Sequence, residues 1–409
     1  MKKYLFLLII TILFSYLTVS YSQTGWFQQN STSSEWLRSV SFANSSTGWT
    51  VGNAGTILKT TNGGSNWFQQ VSGTSQGLWA VNFFNTGTGW ACGFSGVLLK
   101  TTNGGLNWFQ LNSSTTVNLR FFSIYDVNTL WMCGDNGTML KTTNGGENWV
   151  SQQGMSITVY SMSMANINLG WAVGFIGSAY KTTNSGENWF SIPTGVPHTL
   201  NSVFFTDENT GYASGASGTI IKTTDGGNNW ASQTSIVTYS LLSIIFKNQN
   251  TGWISGYGGT ILKTTNSGTE WNKQQSGVTE NLSGVTFIDL NTGWAVGNNG
   301  SILKTTDGGG PIGIKKISSS VPEHFSLSQN YPNPFNSSTI INYQLQITSQ
   351  VKLVVYDNLG REIDVLVNEK QSAGTYEAEW DGTNYPSGVY FYKLITDDFS
   401  ETRKMVLVK

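Results

Sequence analysis

Short runs in which apolar residues alternate with Ser, Thr, Asn or Lys, each broken by Gly or Asn, dominate the chain from Trp26 to Thr306. Four kinds of run recur. The first is rich in β-formers, as in Leu78 to Phe83 or Leu282 to Phe287, and the second reads Gly-Trp-Ala-Val-Gly or a variant, as at Gly293 to Gly297. The third is Ile-Leu-Lys-Thr-Thr, as at Ile302 to Thr306, and the fourth starts at a Trp after an Asn-Gly-Gly turn, as at Trp67-Phe68-Gln69. Short segments of period two separated by Gly/Asn turns predict an antiparallel meander of four strands.

The unit repeats. Lys-Thr-Thr stands at Lys59, Lys100, Lys141, Lys181, Lys222, Lys263 and Lys304, a spacing of 41 residues with a single 40. A period of about forty with strand patterning in each unit predicts a β-propeller, so the fold class is all-β. The fourth-strand tryptophans are Trp26, Trp67, Trp108, Trp149, Trp189, Trp230 and Trp271, whereas Lys304 is followed by Asp307-Gly308-Gly309-Gly310-Pro311 with no Trp of its own. The spare strand lies at the other end, before any Lys-Thr-Thr. The expectation is a seven-bladed β-propeller closed by an N-terminal outer strand, because a closed ring protects edges that an open meander exposes.

Second-strand Trp49, Trp90, Trp131, Trp171, Trp253 and Trp294, with Tyr212 in the fifth copy, are expected to fill the wedges between blades, each burying ~150–250 Å². The repeat lysines, one per blade, are expected to lay their stems along the sheet and keep the ammonium in water. Cys92 and Cys133 occupy one position in adjacent repeats, where other copies have Val51, Val173 or Val296. Packed sheets lie about 10 Å apart and a disulfide needs Cα atoms within about 7 Å, so both read as small buried hydrophobes rather than a bridge.

Charged residues make up 11% of the chain and the formal net charge is -1, against about 25% charged in an average domain. Lysines spread one per blade make no basic stripe, which argues against a nucleic-acid partner. Residues 1–22 read as a signal peptide: Lys2 and Lys3, an apolar Leu5 to Leu17, and Ser20-Tyr21-Ser22 before Gln23. No other run approaches ~18 apolar residues, so no membrane span is expected after signal removal. No Cys follows the signal, against a lipid anchor.

The turn Thr60-Thr61-Asn62-Gly63-Gly64-Ser65-Asn66-Trp67 resembles the bacterial-neuraminidase or Asp-box repeat. Asp225 and Asp307 keep its acid; Asn62, Asn103, Asn144, Asn184 and Asn266 replace it with a side chain that also accepts backbone N–H bonds. Together with Thr-Gly-Trp-x-Val-Gly-x-x-Gly, the region Gly25 to Gly309 resembles the propellers of the photosystem II assembly factor family, whose photosynthetic partner does not carry over with the repeat. Beyond it, Ile341, Tyr343, Leu345 and Ile347 alternate with polar residues, as do Tyr376, Ala378 and Trp380, predicting a small antiparallel sandwich. Asn330-Tyr331-Pro332-Asn333-Pro334-Phe335-Asn336, Val355-Tyr356-Asp357, Gly360-Arg361, Trp380-Asp381-Gly382, Ser387-Gly388-Val389-Tyr390 and the terminal Lys404-Val406-Val408-Lys409 resemble the C-terminal sorting domain of type IX secretion cargo. That resemblance implies a small Ig-like β-sandwich, recognition by the outer-membrane translocon, passage through the periplasm, and a secreted or outer-surface destination. The expected organisation is signal 1–22, propeller 23–310, linker 311–323 and sorting domain 324–409.

In a meander, loops joining strand four to one and strand two to three share a face, and here that face is where the copies differ. Its departures from the template are Trp36, Arg38, Trp79, Phe94, Arg120, Asp135, Tyr160, Phe175, His198, Tyr239 and Tyr257. Aromatics beside Arg or Asp suit stacking and orienting contacts to a sugar or a peptide, with Trp36 and Trp79 at a binding mouth. Sialidases resembling this repeat clamp a carboxylate with three arginines, and this propeller has only Arg38 and Arg120. A glycosidase needs paired carboxylates about 5–10 Å apart; Glu35, Asp135 and Glu280 are the acids near that face. Asp126-Val127-Asn128, Asp207-Glu208-Asn209 and Asp289-Leu290-Asn291 lack the Gly and distal Glu of a calcium loop, and His198 has no partner for a transition metal. The expectation is a non-catalytic binding module for a protein or glycan, with no cofactor and no metal; the alternatives are a secreted glycoside hydrolase and an assembly factor for an exported complex.

Overall fold

The computed structural model describes residues 25–309, 314–336, 338–382 and 385–409; the expected signal peptide and the start of the expected linker lie outside them. Seven four-stranded antiparallel sheets form the propeller. Their first strands, Leu37–Phe42, Leu78–Phe83, Leu119–Ile124, Val159–Met164, Leu200–Phe205, Leu241–Phe246 and Leu282–Phe287, pack each on the next, and the last packs back on the first. We number the blades 1 to 7 in that order. Blade 7 takes its outer strand from the N-terminus: Phe27–Gln29 pairs with Ile302–Thr305 through Phe27↔Lys304 and Gln29↔Ile302. The Gly25 N–H donates to Asp307 Oδ2 at 2.9 Å and Trp26 Nε1 to Gln274 Oε1 at 3.0 Å, fixing the closure.

A repeated seam joins the blades. The second-strand aromatic of each blade donates to a turn carbonyl of the next, from Trp49 to Gly104 at 3.2 Å round to Trp294 to Gly63 at 3.2 Å, with Tyr212 Oη reaching Ser267 at 2.9 Å. At five of the seven seams its ring stacks on the phenyl group ending the next inner strand, as in Trp49–Phe83 at 3.4 Å, whose outer Trp108 meets the same phenyl edge-on at 5.7 Å; Ile124 and Met164 take that place opposite Trp90 and Trp131. The expectation for the lysines is corrected here. Lys100, Lys181 and Lys222 donate across the seam to the carbonyls of Gly145, Gly226 and Ser267 at 2.8 Å, each the acceptor already used by the aromatic. The half-buried ammonium turns to the neighbouring blade because a carbonyl with one lone pair still open lies within reach, above an indole or phenol face 5.3–5.9 Å away. Cys92 and Cys133 are buried free thiols, and burial raises the pKa of both.

The tail forms two four-stranded sheets around one core that includes Tyr343, Leu353, Trp380, Tyr392 and Leu407. Ile314–Ser318, within the stretch expected as linker, pairs with Gly374–Asp381 as the edge of one of these sheets. Among the described residues no helix is long and apolar enough to cross a membrane.

Candidate functional site at the mouth of the axial channel

Every inner strand skips one residue against its neighbour. The register shifts fall at Arg38, Trp79, Arg120, Tyr160, Asn201, Leu242 and Ser283, one per blade. A bulge adds a residue without a ladder partner and re-aims its side chain. All seven of these side chains line a cavity of about 740 Å³ that follows the propeller axis. Fifteen residues further on, a tight turn between strands two and three brings a companion to the bulge residue: Asn53 beside Arg38, Phe94 beside Trp79 and Asp135 beside Arg120. That turn requires Gly at its third position. At Gly55 φ is +67° and any Cβ would overlap the Thr74 carbonyl oxygen.

From blade 7 to blade 4 the ring is a ladder of alternating cations and aromatic faces. Trp36 Nε1 donates to Ser283 Oγ at 2.6 Å. The Arg38 guanidinium lies 4.1 Å from the ring centres of both Trp36 and Trp79, and Arg120 lies 4.2 Å from Trp79 and 5.5 Å from Tyr160. Such contacts are worth about 0.5–2 kcal/mol each, more as water is excluded. Arg120 is paired with a carboxylate: Nε and Nη2 donate to Asp135 at 2.7 and 3.0 Å, and Asn118 Nδ2 donates to the same carboxylate at 2.8 Å. Arg38 is not. Its Nε donates to the Asn53 carboxamide at 2.9 Å, and no carboxylate pairs with it among the described residues. Burial, and then repulsion from Arg120, push its pKa down to about 10, with Tyr257 acting in the opposite direction, so it stays charged at neutral pH. The indole N–H of Trp79 is buried without an acceptor among the described residues.

Below the mouth, serines of one inner strand accept backbone N–H groups of the next. Val81 donates to Ser39, Phe83 to Ser41, Val203 to Ser161, Phe205 to Ser163, Ile244 to Ser202 and Val285 to Ser243. These bonds satisfy inner edges that no strand covers.

Of the residues singled out from sequence, Trp36, Arg38, Trp79, Arg120, Tyr160 and Tyr257 line the cavity, with Phe94 and Asp135 directly behind them. Phe175, His198 and Tyr239 are not in its lining; Phe175 and Tyr239 are exposed. Sequence reasoning missed Asn201, Leu242 and Ser283, three members of the bulge ring. The signal was available, because they occupy the repeat column of Arg38 and Trp79. Glu35 and Glu280 do not line the cavity, and Asp135 is held by Arg120. No cluster of metal-binding side chains occurs among the described residues.

A closed ring of seven Asp-box blades, with its differing side chains gathered at one end of the axis, defines a β-propeller of the assembly-factor type. The family described as photosynthesis system II assembly factor YCF48 matches residues 19–118, 181–277 and 235–306, and the chain belongs to it. Residues 329–409 match the secretion system C-terminal sorting domain, so the tail is a type IX sorting domain and marks the chain for export to the cell surface or beyond. Among solved structures, YCF48 bound to a D1 peptide is 20% identical over 70% of this chain and 98% of its own, with TM-score 0.60. YCF48 from Cyanidioschyzon merolae is also 20% identical, over 69% and 98%, with TM-score 0.60. PorZ, a surface component of the type-IX secretion system of Porphyromonas gingivalis, is 11% identical over 96% of this chain and 61% of its own, with TM-score 0.56. At these identities the likeness is one of fold. No curated protein matches the chain.

Proposed function

We propose that the propeller is a non-catalytic binding module that captures an acidic stretch of a protein at the mouth of its axial channel. The observation that carries this is Arg38: a half-buried guanidinium fixed between two indoles, with no carboxylate of its own. A cation partly stripped of water and left unpaired interacts strongly with an incoming carboxylate, and a guanidinium fork matches it bidentately. The same stacking disfavours a neutral sugar. Trp79 already carries a guanidinium from each neighbouring blade, so its faces are not free platforms. In a solved propeller of the same fold, YCF48 is bound to a D1 peptide, which agrees with this choice.

Arrays of acidic, neutral and basic peptides and of glycans, probed with the exported full chain, test the reading. Acidic peptides should be retained, with binding weakened by salt and reduced roughly tenfold or more by Arg38→Ala. Retention of neutral glycans alone, or acidic-peptide binding indifferent to Arg38→Ala and Trp79→Ala together, would overturn it. Hydrolysis of a β-glucan or sialoside, abolished by Glu35→Gln or Asp135→Asn, would favour the hydrolase alternative instead.

A further inference from the structure

The final strand of the sorting domain, Ser400–Leu407, is the edge of its sheet and pairs along its whole length with Gly388–Ile395. Among the described residues no strand covers its other side. The backbone groups pointing that way belong to alternate residues, and the segment from Gln329 to Phe335 meets those of Lys404, Val406 and Val408. Gln329 Nε2 donates to the Lys404 carbonyl at 2.8 Å, and Asn333 Nδ2 to the same oxygen at 3.4 Å. The Val406 N–H donates to Asn333 Oδ1 at 2.9 Å. Only then does backbone take over: the Phe335 N–H donates to the Val406 carbonyl and the Val408 N–H to the Phe335 carbonyl, both at 2.9 Å. The carboxamide of Asn333, donating with one atom and accepting with the other, stands in for one peptide unit of a neighbouring strand.

This strap hangs from two buried anchors. Asn330 Nδ2 donates to Thr339 Oγ1 at 2.9 Å and the Asn330 N–H donates to Tyr392 Oη at 2.8 Å, while Phe335 fills the core against Trp380 at 5.6 Å. Gln329, just before the first anchor, and Asn333, between the two, are exposed. Beside the edge, Tyr331, Val389 and Val408 are exposed apolar side chains, at 79%, 40% and 50% of their full surface. The far edge of the same sheet is less regular. Glu362–Gln371 carries two register shifts, where Ser400–Leu407 has none, and such irregularity deters strand addition.

We propose that the outer edge of Ser400–Leu407 is the surface on which the secretion machinery docks, by adding an extended strand of its own in place of the side-chain amides of Gln329 and Asn333. The inference rests on the tail being a sorting domain. A full strand would offer continuous peptide groups to the Lys404 carbonyl and the Val406 N–H, where the strap offers two exposed side-chain amides, and would cover Val389. Until then the strap keeps the edge from pairing with another copy.

The test uses the full chain expressed in a bacterium with a type IX system. Val406→Pro removes the outward N–H and fills the edge while leaving the inward ladder intact, a position where proline is tolerated. Its exported fraction should fall roughly tenfold with the tail still folded by circular dichroism. Asn333→Gly loosens only the strap, so the Val406 amide should exchange faster while export is undiminished. Wild-type export of Val406→Pro overturns the proposal, and so does a fall in Asn333→Gly as deep as that in Val406→Pro, which would make the strap itself the recognised element. If the Val406→Pro tail does not fold, Asn333→Gly decides alone: undiminished export supports the edge and a roughly tenfold fall overturns it. A chain lacking residues 324–409 separates the premises: should it still be exported, the sorting assignment fails rather than the docking edge.

Discussion

Arg38 and Arg120 are the same side chain in equivalent strand positions, and their neighbours give them opposite roles. Asp135 neutralises one, whereas only a neutral carboxamide meets the other. Asp135→Asn should therefore cost about 1–3 kcal/mol, read from urea unfolding, and should strengthen acidic-peptide binding by freeing a second guanidinium. Weaker binding in that variant would count against the charge argument. Another single-residue effect lies in blade 4. Ile176 has φ +53° at a turn position taken by Ala, Ser, Asn or Gly in the other blades, and its side chain is exposed. A β-branched residue in the left-handed region is strained, so Ile176→Asn should raise stability by about 1 kcal/mol, visible as a higher melting temperature.

At the scale of the blade, the seam sets the energetics. Trp90 and Lys100 both donate to the Gly145 carbonyl. Removing the lysine leaves that oxygen paired, so Lys100→Met should cost only about 1 kcal/mol; Trp90→Ala empties a fully buried site and should cost about 3–5 kcal/mol. Equal losses in denaturant titrations would refute the shared-acceptor account. The Asp-box turn offers a pH test. Hydrogen bonds from the Asn229 side chain and N–H, and from Thr223, hold the Asp225 carboxyl down at about 2. Its folded value lies below the unfolded one of about 3.9, so its contribution is present above that pH and is lost as pH falls through about 2. Asp225→Asn, the residue five other blades use, should flatten the fall in urea midpoint between pH 4 and pH 2. An unchanged acid slope would contradict this assignment.

For the whole molecule, closure is the decisive event. Deleting residues 23–29 leaves Ile302–Thr305 as an open edge and removes Trp26 from the last seam. The shortened chain should unfold at lower denaturant and elute as dimers or larger species on size exclusion, because an uncovered strand recruits another. A monomer of wild-type stability would show that the ring does not depend on this strand.

The amino-acid order alone was enough for blade number, strand identity and the closing strand, because a 41-residue period with one displaced Trp admits few arrangements. It also marked which end of the propeller varies. It could not say that the lysines cross the seam, since Lys-Thr-Thr reads the same whether the ammonium meets water or a neighbouring carbonyl. Nor could it show which of eleven differing residues converge. Arg38, Trp79 and Arg120 lie 41 residues apart, yet they become a stack only because bulges on adjacent inner strands turn them towards one axis. Periodicity is a one-dimensional property and is written in the chain; the meeting of side chains from separate repeats depends on strand register and ring curvature, which exist only once the ring has closed.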